Sequence, residues 1–433
     1  MSDARSHDWL SRDGLILVPA GPVEGTVIAP SSKSVTNRLL VIASLAEGSS
    51  VLTGVLASED TEAMVQGLRA LGVQIERNSE RAMVVGTSGR LAAGEMTVDA
   101  GLSGTTLRFL SAVALLAKGT VVLDGQEPLR RRPIAPLLDA LRSVGAAVST
   151  DGGRPPIRIS GGSLRGGRVR VNASASSQFG TALLLVGPCA AQDLTVEVEG
   201  LREFGYVRLT TETMVRWGAS VTEEDPGLFR VSGRSPYTAR TESVEHDASA
   251  AAHLYALAVA TGGSVTVANA FDTLQPDGRM LEVLTAMGAN VLRGPGGTTV
   301  ERPGELIGID VDLAAMPDQV PTVAALGALA CGDTVVRGVE IVRGHESDRI
   351  HAMATELGRL GARVDETPDG LVVHGGAPLH GSTVDTHRDH RLAMALTAVG
   401  AAIPGVQIGD PGCVAKTYPR FFDDVARLGV GIR

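Results

Sequence analysis

The chain has 433 residues, 44.7 kDa and a formal net charge of −9, so it exceeds the size at which one core usually keeps growing and is the wrong sign for a general nucleic-acid binder. Apolar residues make up 44% and aromatics only 3%, so the cores must be built mainly from Val, Leu, Ala and Ile. No run of 18 apolar residues free of charges and turn formers occurs, and the opening MSDARSHDWLSRD lacks a signal-peptide core, so a cytoplasmic protein is expected.

In chain order, a strand is predicted over 14–18, then a helix over 35–46, a strand over 50–56 and an amphipathic helix over 61–71 that closes on LGVQI around Gly72. That closing signature recurs as VGAAV at Gly145, WGASV at Gly218, MGANV at Gly288, LGARV at Gly361 and LGVGI at Gly429, at intervals of 73, 73, 70, 73 and 68 residues. Units this long exceed ordinary solenoid repeats and each can bury a small core. The pattern predicts an α/β (α+β) protein of six βαβαββ modules, three per domain. The opening strand can belong with the last three modules, which makes the first domain discontinuous: 1–30 plus 244–433, with 31–243 forming the other.

Basic residues gather at predicted helix starts, where free amide donors favour anions. APSSKSVTNRLL offers Ser31 or Ser32 as a cap, with Lys33 at the mouth and Asn37 and Arg38 one turn in. GLSGTTLRFL repeats the design with Gly101, Gly104 and Arg108, and ASASSQFG with Ser174, Ser176, Ser177 and Gln178. It is not a phosphate-binding P-loop, since GxxxxGK[ST] is absent. Arg130, Arg131 and Arg132 precede another helix start, and at least one of them is expected to point inward. RGHESDR brings Arg343, His345, Glu346, Asp348 and Arg349 together; Glu346 and Arg349 share a face if that segment is helical. HRDHRLAMA contributes Arg388, His390 and Arg391, and AKTYPRFF contributes Lys416. So many cationic sites in an acidic chain predict polyanionic small ligands. Cys189, Cys331 and Cys413 have no metal spacing, and apolar neighbours mark Cys189 and Cys331 as core fillers.

Eight stretches, SKSVTNR at 32–38, GLSGTTLRF at 101–109, RRPIAPLLDALR at 131–142, SASSQF at 174–179, MPDQVPT at 316–322, GHESDR at 344–349, DHRLAMA at 389–395 and DPGCVAKTYPRFF at 410–422, follow one another as in the EPSP synthase (3-phosphoshikimate 1-carboxyvinyltransferase) family, which the chain resembles over nearly its full length. The resemblance implies a two-domain inside-out α/β barrel with the active site in the cleft between domains. It also implies transfer of the enolpyruvyl group of phosphoenolpyruvate to shikimate 3-phosphate, in the shikimate pathway of aromatic amino-acid biosynthesis. By the same resemblance Lys33, Gly104, Arg132, Gln178, Arg349, Arg391 and Lys416 match residues around phosphoenolpyruvate. Ser34, Arg38, Ser176, Ser177, Gln178, Tyr206, Asp318 and His345 match residues on the acceptor side. Lys33, Asp318, Glu346 and Lys416 match catalytic positions. No cofactor and no metal is implied, and a monomer is expected.

The chain departs from the family pattern at His345, where Lys is common, and at Leu102, Ser103, Thr106 and Phe109 in the second motif. It departs also at Glu203, where a phosphate-binding Ser is usual. Either Glu203 points away with Arg208 compensating, or the acceptor is a different alcohol. Transfer to a UDP-sugar is a further alternative, although the reactive Cys of that related family has no counterpart before Cys189. A silent anion-binding protein with this fold is another.

Overall fold

The six glycine signatures end six helices in the same way. In the computed structural model, which describes residues 9–162 and 164–433, Gly72, Gly145, Gly218, Gly288, Gly361 and Gly429 have φ between 88° and 107°. At the first, Gly72 N–H donates to Arg69 O at 2.9 Å and Val73 N–H reaches back to Leu68 O at 3.1 Å. The same pair of bonds closes each of the others, as at Gly361 to Gly358 O and Ala362 to Leu357 O, both 3.0 Å. This is a Schellman stop: it satisfies carbonyls left open at the helix end and requires a left-handed residue, which glycine supplies without a Cβ clash. The apolar residue after each glycine then starts the next strand.

The chain divides into two compact units, Ser31–Glu245 and, discontinuously, Met1–Pro30 with His246–Arg433, the described part of the latter beginning at Trp9. Most of the segment MSDARSHDWLSRD lies outside the described residues.

Each unit carries three four-stranded sheets of one topology: a parallel pair, then two antiparallel partners. In the unit Ser31–Glu245, strand Thr241–Ser243 returns to pair in parallel with Ser49–Thr53, which is followed by Arg81–Val85 and Gln74–Arg77. In the other unit the N-terminal segment completes two sheets. Glu24–Val27 lies parallel to Ser264–Val267, and Gly14–Val18 runs antiparallel to Gln407–Gly409 and Gly431–Ile432. The strand predicted over 14–18 therefore forms where expected and belongs with the last module.

Two helix types follow from burial. Six helices, Lys33–Leu45, Gly104–Val113, Gln178–Val186, Ala248–Thr261, Val320–Leu329 and His390–Ala402, are buried almost all round, and within each unit they form the centre of the core. Their composition, Ala and Leu with few charges, is what a helix surrounded by protein requires. The helices that end on the glycine stops, such as Glu59–Ala70 and Arg349–Arg359, bury one face only. Helices inside and sheets outside make each unit an inside-out α/β barrel. Emptying a site such as fully buried Leu326 by Leu326→Ala costs about 2–5 kcal/mol in so closed a core. Among the described residues no helix is long and apolar enough to cross a membrane.

Cys331 corrects the sequence expectation: it is exposed, its thiol 3.8 Å from Glu305 Oε1, because it lies past the end of its helix in a surface β-bridge to Ile307. Cys189 does pack against the core, and burial raises its thiol to about 12.

Candidate functional site

The chemistry-bearing residues fall into two clusters, one in each unit, most of them at or beside helix starts.

In the unit Ser31–Glu245, Ser32 caps the first inner helix, its hydroxyl accepting from Val35 N–H at 3.3 Å. This puts Lys33 at the helix mouth, where its ammonium lies 3.3 Å from Asp60. Ser34 is half-buried, and its carbonyl accepts from Arg38 Nη1 at 2.9 Å. Arg38 also donates to Thr210 Oγ1 at 2.8 Å and Tyr206 O at 3.1 Å, and stacks near the Phe109 and Tyr206 rings. With neutral hydrogen-bond partners and only 3% exposure, its guanidinium is lowered to about 10, burial being the main cause and Tyr206 opposing it.

The second inner helix is capped by Ser103 and begins at Gly104. A Cβ on Gly104 would stand 2.9 Å from Arg132 Nη1, so glycine is what lets that guanidinium lie across the helix start. Its two neighbours point elsewhere: Arg130 grips Asp124 and exposed Arg131 pairs with Glu127. One arginine of the three is thus the inward one. Arg108, one turn along, donates to Gln178 Oε1 at 2.8 Å, and Gln178 Nε2 donates to Thr105 Oγ1 at 3.1 Å. Ser176 accepts from Gln178 N–H at 3.3 Å, while Ser177, at the N-cap of the third inner helix, makes no side-chain capping bond. Tyr206 is half-buried at the start of the helix Gly205–Arg216.

The other unit holds a denser cluster. Arg349, 1% exposed, donates through Nε to Asp389 Oδ2 at 2.7 Å, through Nη1 to Asp318 Oδ1 at 2.7 Å, and through Nη2 to Glu346 Oε2 at 3.1 Å. Arg391 takes the other oxygen of Asp318 at 2.7 Å, and Lys416 takes the other oxygen of Glu346 at 2.6 Å. His345 Nδ1 stands 3.1 Å from Arg349 Nη1. Burial acts to lower the Arg349 guanidinium, but Asp389, Asp318 and Glu346 outweigh it and hold the group above its ordinary value. Arg391 is likewise raised: burial and the repulsion of Arg349 lower it, but Asp318, Asp277 and Asp247 together outweigh them. Three buried cations are matched by three carboxylates, which is the condition for keeping such charges out of water.

Several expectations change in detail. Glu346 and Arg349 meet although they share no helix face, because Glu346 lies in the bend before the helix Arg349–Arg359, which Asp348 caps. Arg343 braces that bend through Asp348 and Glu366 and takes no part in the cluster, and Arg388 is exposed at φ 56°. Glu203 is exposed, and Arg208 forks onto Glu223 at 2.9 and 3.0 Å instead of serving Glu203 as main partner. The residue that sequence reasoning missed is Asp389. Fully buried, it caps the helix His390–Ala402 and anchors Arg349; its place before His390 in the quoted motif was the available signal. Asp60, the partner of Lys33, gave none beyond being an acid at a helix start.

Solved structures with this architecture define the class. An EPSP synthase from Acinetobacter baumannii superposes with a TM-score of 0.81 at 28% identity over 98% of this chain and all of the other. The enolpyruvyl transferase NikO from Streptomyces tendae superposes at 0.75 over 97% of this chain and 98% of its own; at 18% identity it speaks for the fold alone. The likeness to the Acinetobacter enzyme gives the protein the fold class of the EPSP synthases, with two inside-out units.

The family model of EPSP synthase (3-phosphoshikimate 1-carboxyvinyltransferase) matches residues 17–425. A 3-phosphoshikimate 1-carboxyvinyltransferase of Methanoculleus marisnigri is 42% identical over 417 residues, 95% of this chain and 98% of that protein. One from Serratia proteamaculans is 40% identical over 426 residues, covering 96% and 99%. The chain belongs to the EPSP synthase family.

Proposed function

We infer that the protein transfers the enolpyruvyl group of phosphoenolpyruvate to the 5-hydroxyl of shikimate 3-phosphate and releases inorganic phosphate. The observation that carries this reading is the alternating chain Lys416, Glu346, Arg349, Asp318, Arg391, in which every acid is held between two cations. Such an arrangement binds anions through its cations and moves protons through its acids, and the reaction demands both.

The acceptor hydroxyl, giving its proton toward Asp318, adds to C2 of phosphoenolpyruvate while Glu346, assisted by Lys416, delivers a proton to C3. The tetrahedral ketal phosphate then returns a C3 proton to Glu346 and expels phosphate, which leaves with the proton held by Asp318, restoring the double bond and both acids to their starting states. Arg349 and Arg391 stabilise the carboxylate and phosphate charge that the intermediate concentrates. Lys33, Arg132 and Gln178, with Gly104 providing clearance, are the groups of the unit Ser31–Glu245 that this reading assigns to phosphoenolpyruvate. Ser34, Ser176, Ser177, Tyr206 and His345 orient the acceptor, and buried Arg38 supports its side of the site. Exposure of Glu203, and the engagement of Arg208 by Glu223, support the usual acceptor.

Phosphate release from phosphoenolpyruvate tests the reading. Release that depends on shikimate 3-phosphate is expected; release that requires a UDP-sugar or another alcohol instead, or none with any acceptor, overturns it.

A further inference from the structure

Asp318 sits in a single 3-10 turn, Pro317–Gln319, that few bonds of its own hold: Gln319 N–H donates to Met316 O at 3.0 Å and Val320 N–H to Pro317 O, while Pro317 lacks an N–H and Met316 gives no side-chain cap. A further restraint comes from the next residue. Gln319, fully buried, donates through Nε2 to Asp277 Oδ1 at 2.7 Å and accepts through Oε1 from Thr322 Oγ1 at 3.2 Å. Ser249, near the start of the helix Ala248–Thr261, donates to the same Asp277 oxygen at 2.6 Å.

The network ends in His253, whose Nδ1 is 3.2 Å from Thr322 Oγ1. Since the Thr322 hydroxyl proton goes to Gln319, the ring proton is assigned to Nδ1, which donates to the hydroxyl oxygen. Burial first, and then Arg391 and Arg349, keep this imidazole neutral. Asp277 is 1% exposed, and its bonds tie the first turn of one inner helix to the N-cap of another. Nothing in the reaction described above uses it.

We propose that Asp277 is a positioning residue for the reaction: acting through Gln319, it sets the turn that carries Asp318 and so the direction in which Asp318 faces Arg349, Arg391 and the acceptor hydroxyl. It touches no substrate. The proposal rests on the reading of Asp318 as the acceptor-side acid/base. A small misplacement of a reacting group is enough to cost much of a rate.

Ser249 and Gln319 share one Asp277 oxygen, so an amide oxygen at the same place can accept from both, and Asp277→Asn separates these two bonds from the charge that Asp277 presents to Asp318 and Arg391. In full-length protein, Asp277→Ala is expected to lower kcat by about 30-fold or more, with the KM for phosphoenolpyruvate changed by less than about threefold. The limb of the kcat against pH profile governed by Asp318 should move with it. Asp277→Asn should stay within about threefold of wild type and keep the wild-type profile. Gln319→Met, similar in shape but unable to make either bond, should reproduce the alanine variant, and the double variant should be no worse than either single one, since both break one link.

A folded Asp277→Ala with near-normal kcat, an asparagine variant as damaged as the alanine one, or losses that multiply in the double variant would each overturn the proposal. If Asp277→Ala does not fold, Gln319→Met and Asp277→Asn decide the matter by the same criteria. Asp318→Asn measured alongside separates the two readings: near-normal turnover there removes the acid/base role itself, whereas its loss with an intact Gln319→Met removes only the positioning.

Discussion

The two clusters handle their buried arginines differently, although Lys33 of the first also pairs with an acid, Asp60. In the unit Ser31–Glu245, buried Arg38 rests on a hydroxyl and two carbonyls, and Arg108 on an amide oxygen. In the other unit Arg349, Arg391 and Lys416 each close on carboxylates. Neutral acceptors leave a cation's field uncancelled, and a group so placed attracts a dianion without taking part in proton transfer. Carboxylates cancel that field but bring acids to the reacting atoms. Under the proposed function the difference is a division of labour in which the cluster of the unit Ser31–Glu245 chiefly holds anions and that of the other unit chiefly moves protons.

The largest expected effect comes from breaking the balanced cluster at its cation. Arg391→Ala removes a partner of Asp318 and should lower turnover by about 10²- to 10³-fold, read in a steady-state assay; a change below about threefold would take Arg391 out of the site. Removing the acids sharpens the contrast. Asp318→Asn and Glu346→Gln keep shape but cannot accept a proton, so each should cost about 10²-fold in kcat with an unchanged circular dichroism spectrum.

A substitution in the other cluster should behave differently. Arg38→Lys loses the fork that reaches Thr210 and Tyr206 at once, and is expected to raise the KM for shikimate 3-phosphate by about tenfold with a smaller change in kcat. A loss confined to kcat would erase the proposed division. The smallest effect on rate belongs to Glu203→Ser, which should alter the KM for shikimate 3-phosphate by less than about twofold because Glu203 is exposed.

The balanced cluster also predicts a pH dependence of stability. His253 is depressed below its ordinary value in the folded protein, so unfolded chains take up its proton first as pH falls. Its contribution is present above about pH 6.5 and is lost below it, at up to about 1.4 kcal/mol per pH unit. Thermal melts at descending pH should show that loss in wild type and a flatter profile in His253→Leu.

Much of this was legible in the sequence because it is written in local rules. The six glycine stops, the inner helices and the strand Gly14–Val18 follow from periodicity and one backbone conformation. Lys33 and Arg132 were found because cations at helix starts are visible in order along the chain. What was hidden is what side chains do after the chain folds. Glu346 and Arg349 were paired for the wrong reason, since the bend that joins them is set by Asp348 and Arg343. Asp277 and Gln319 lie 42 residues apart, and no spacing rule links them. Cys331 looked like core because its preceding helix is apolar, yet two residues past the helix end is enough to reach solvent.

The claim that one cluster moves the protons is tested most directly by running the reaction in deuterium oxide with phosphoenolpyruvate and shikimate 3-phosphate, and following deuterium at the enolpyruvyl C3 by NMR in wild type and Glu346→Gln. The account predicts deuterium on C3 in the wild-type reaction, and in the variant a loss of exchange by the same factor as the loss of turnover. Exchange at the wild-type rate in Glu346→Gln would contradict it.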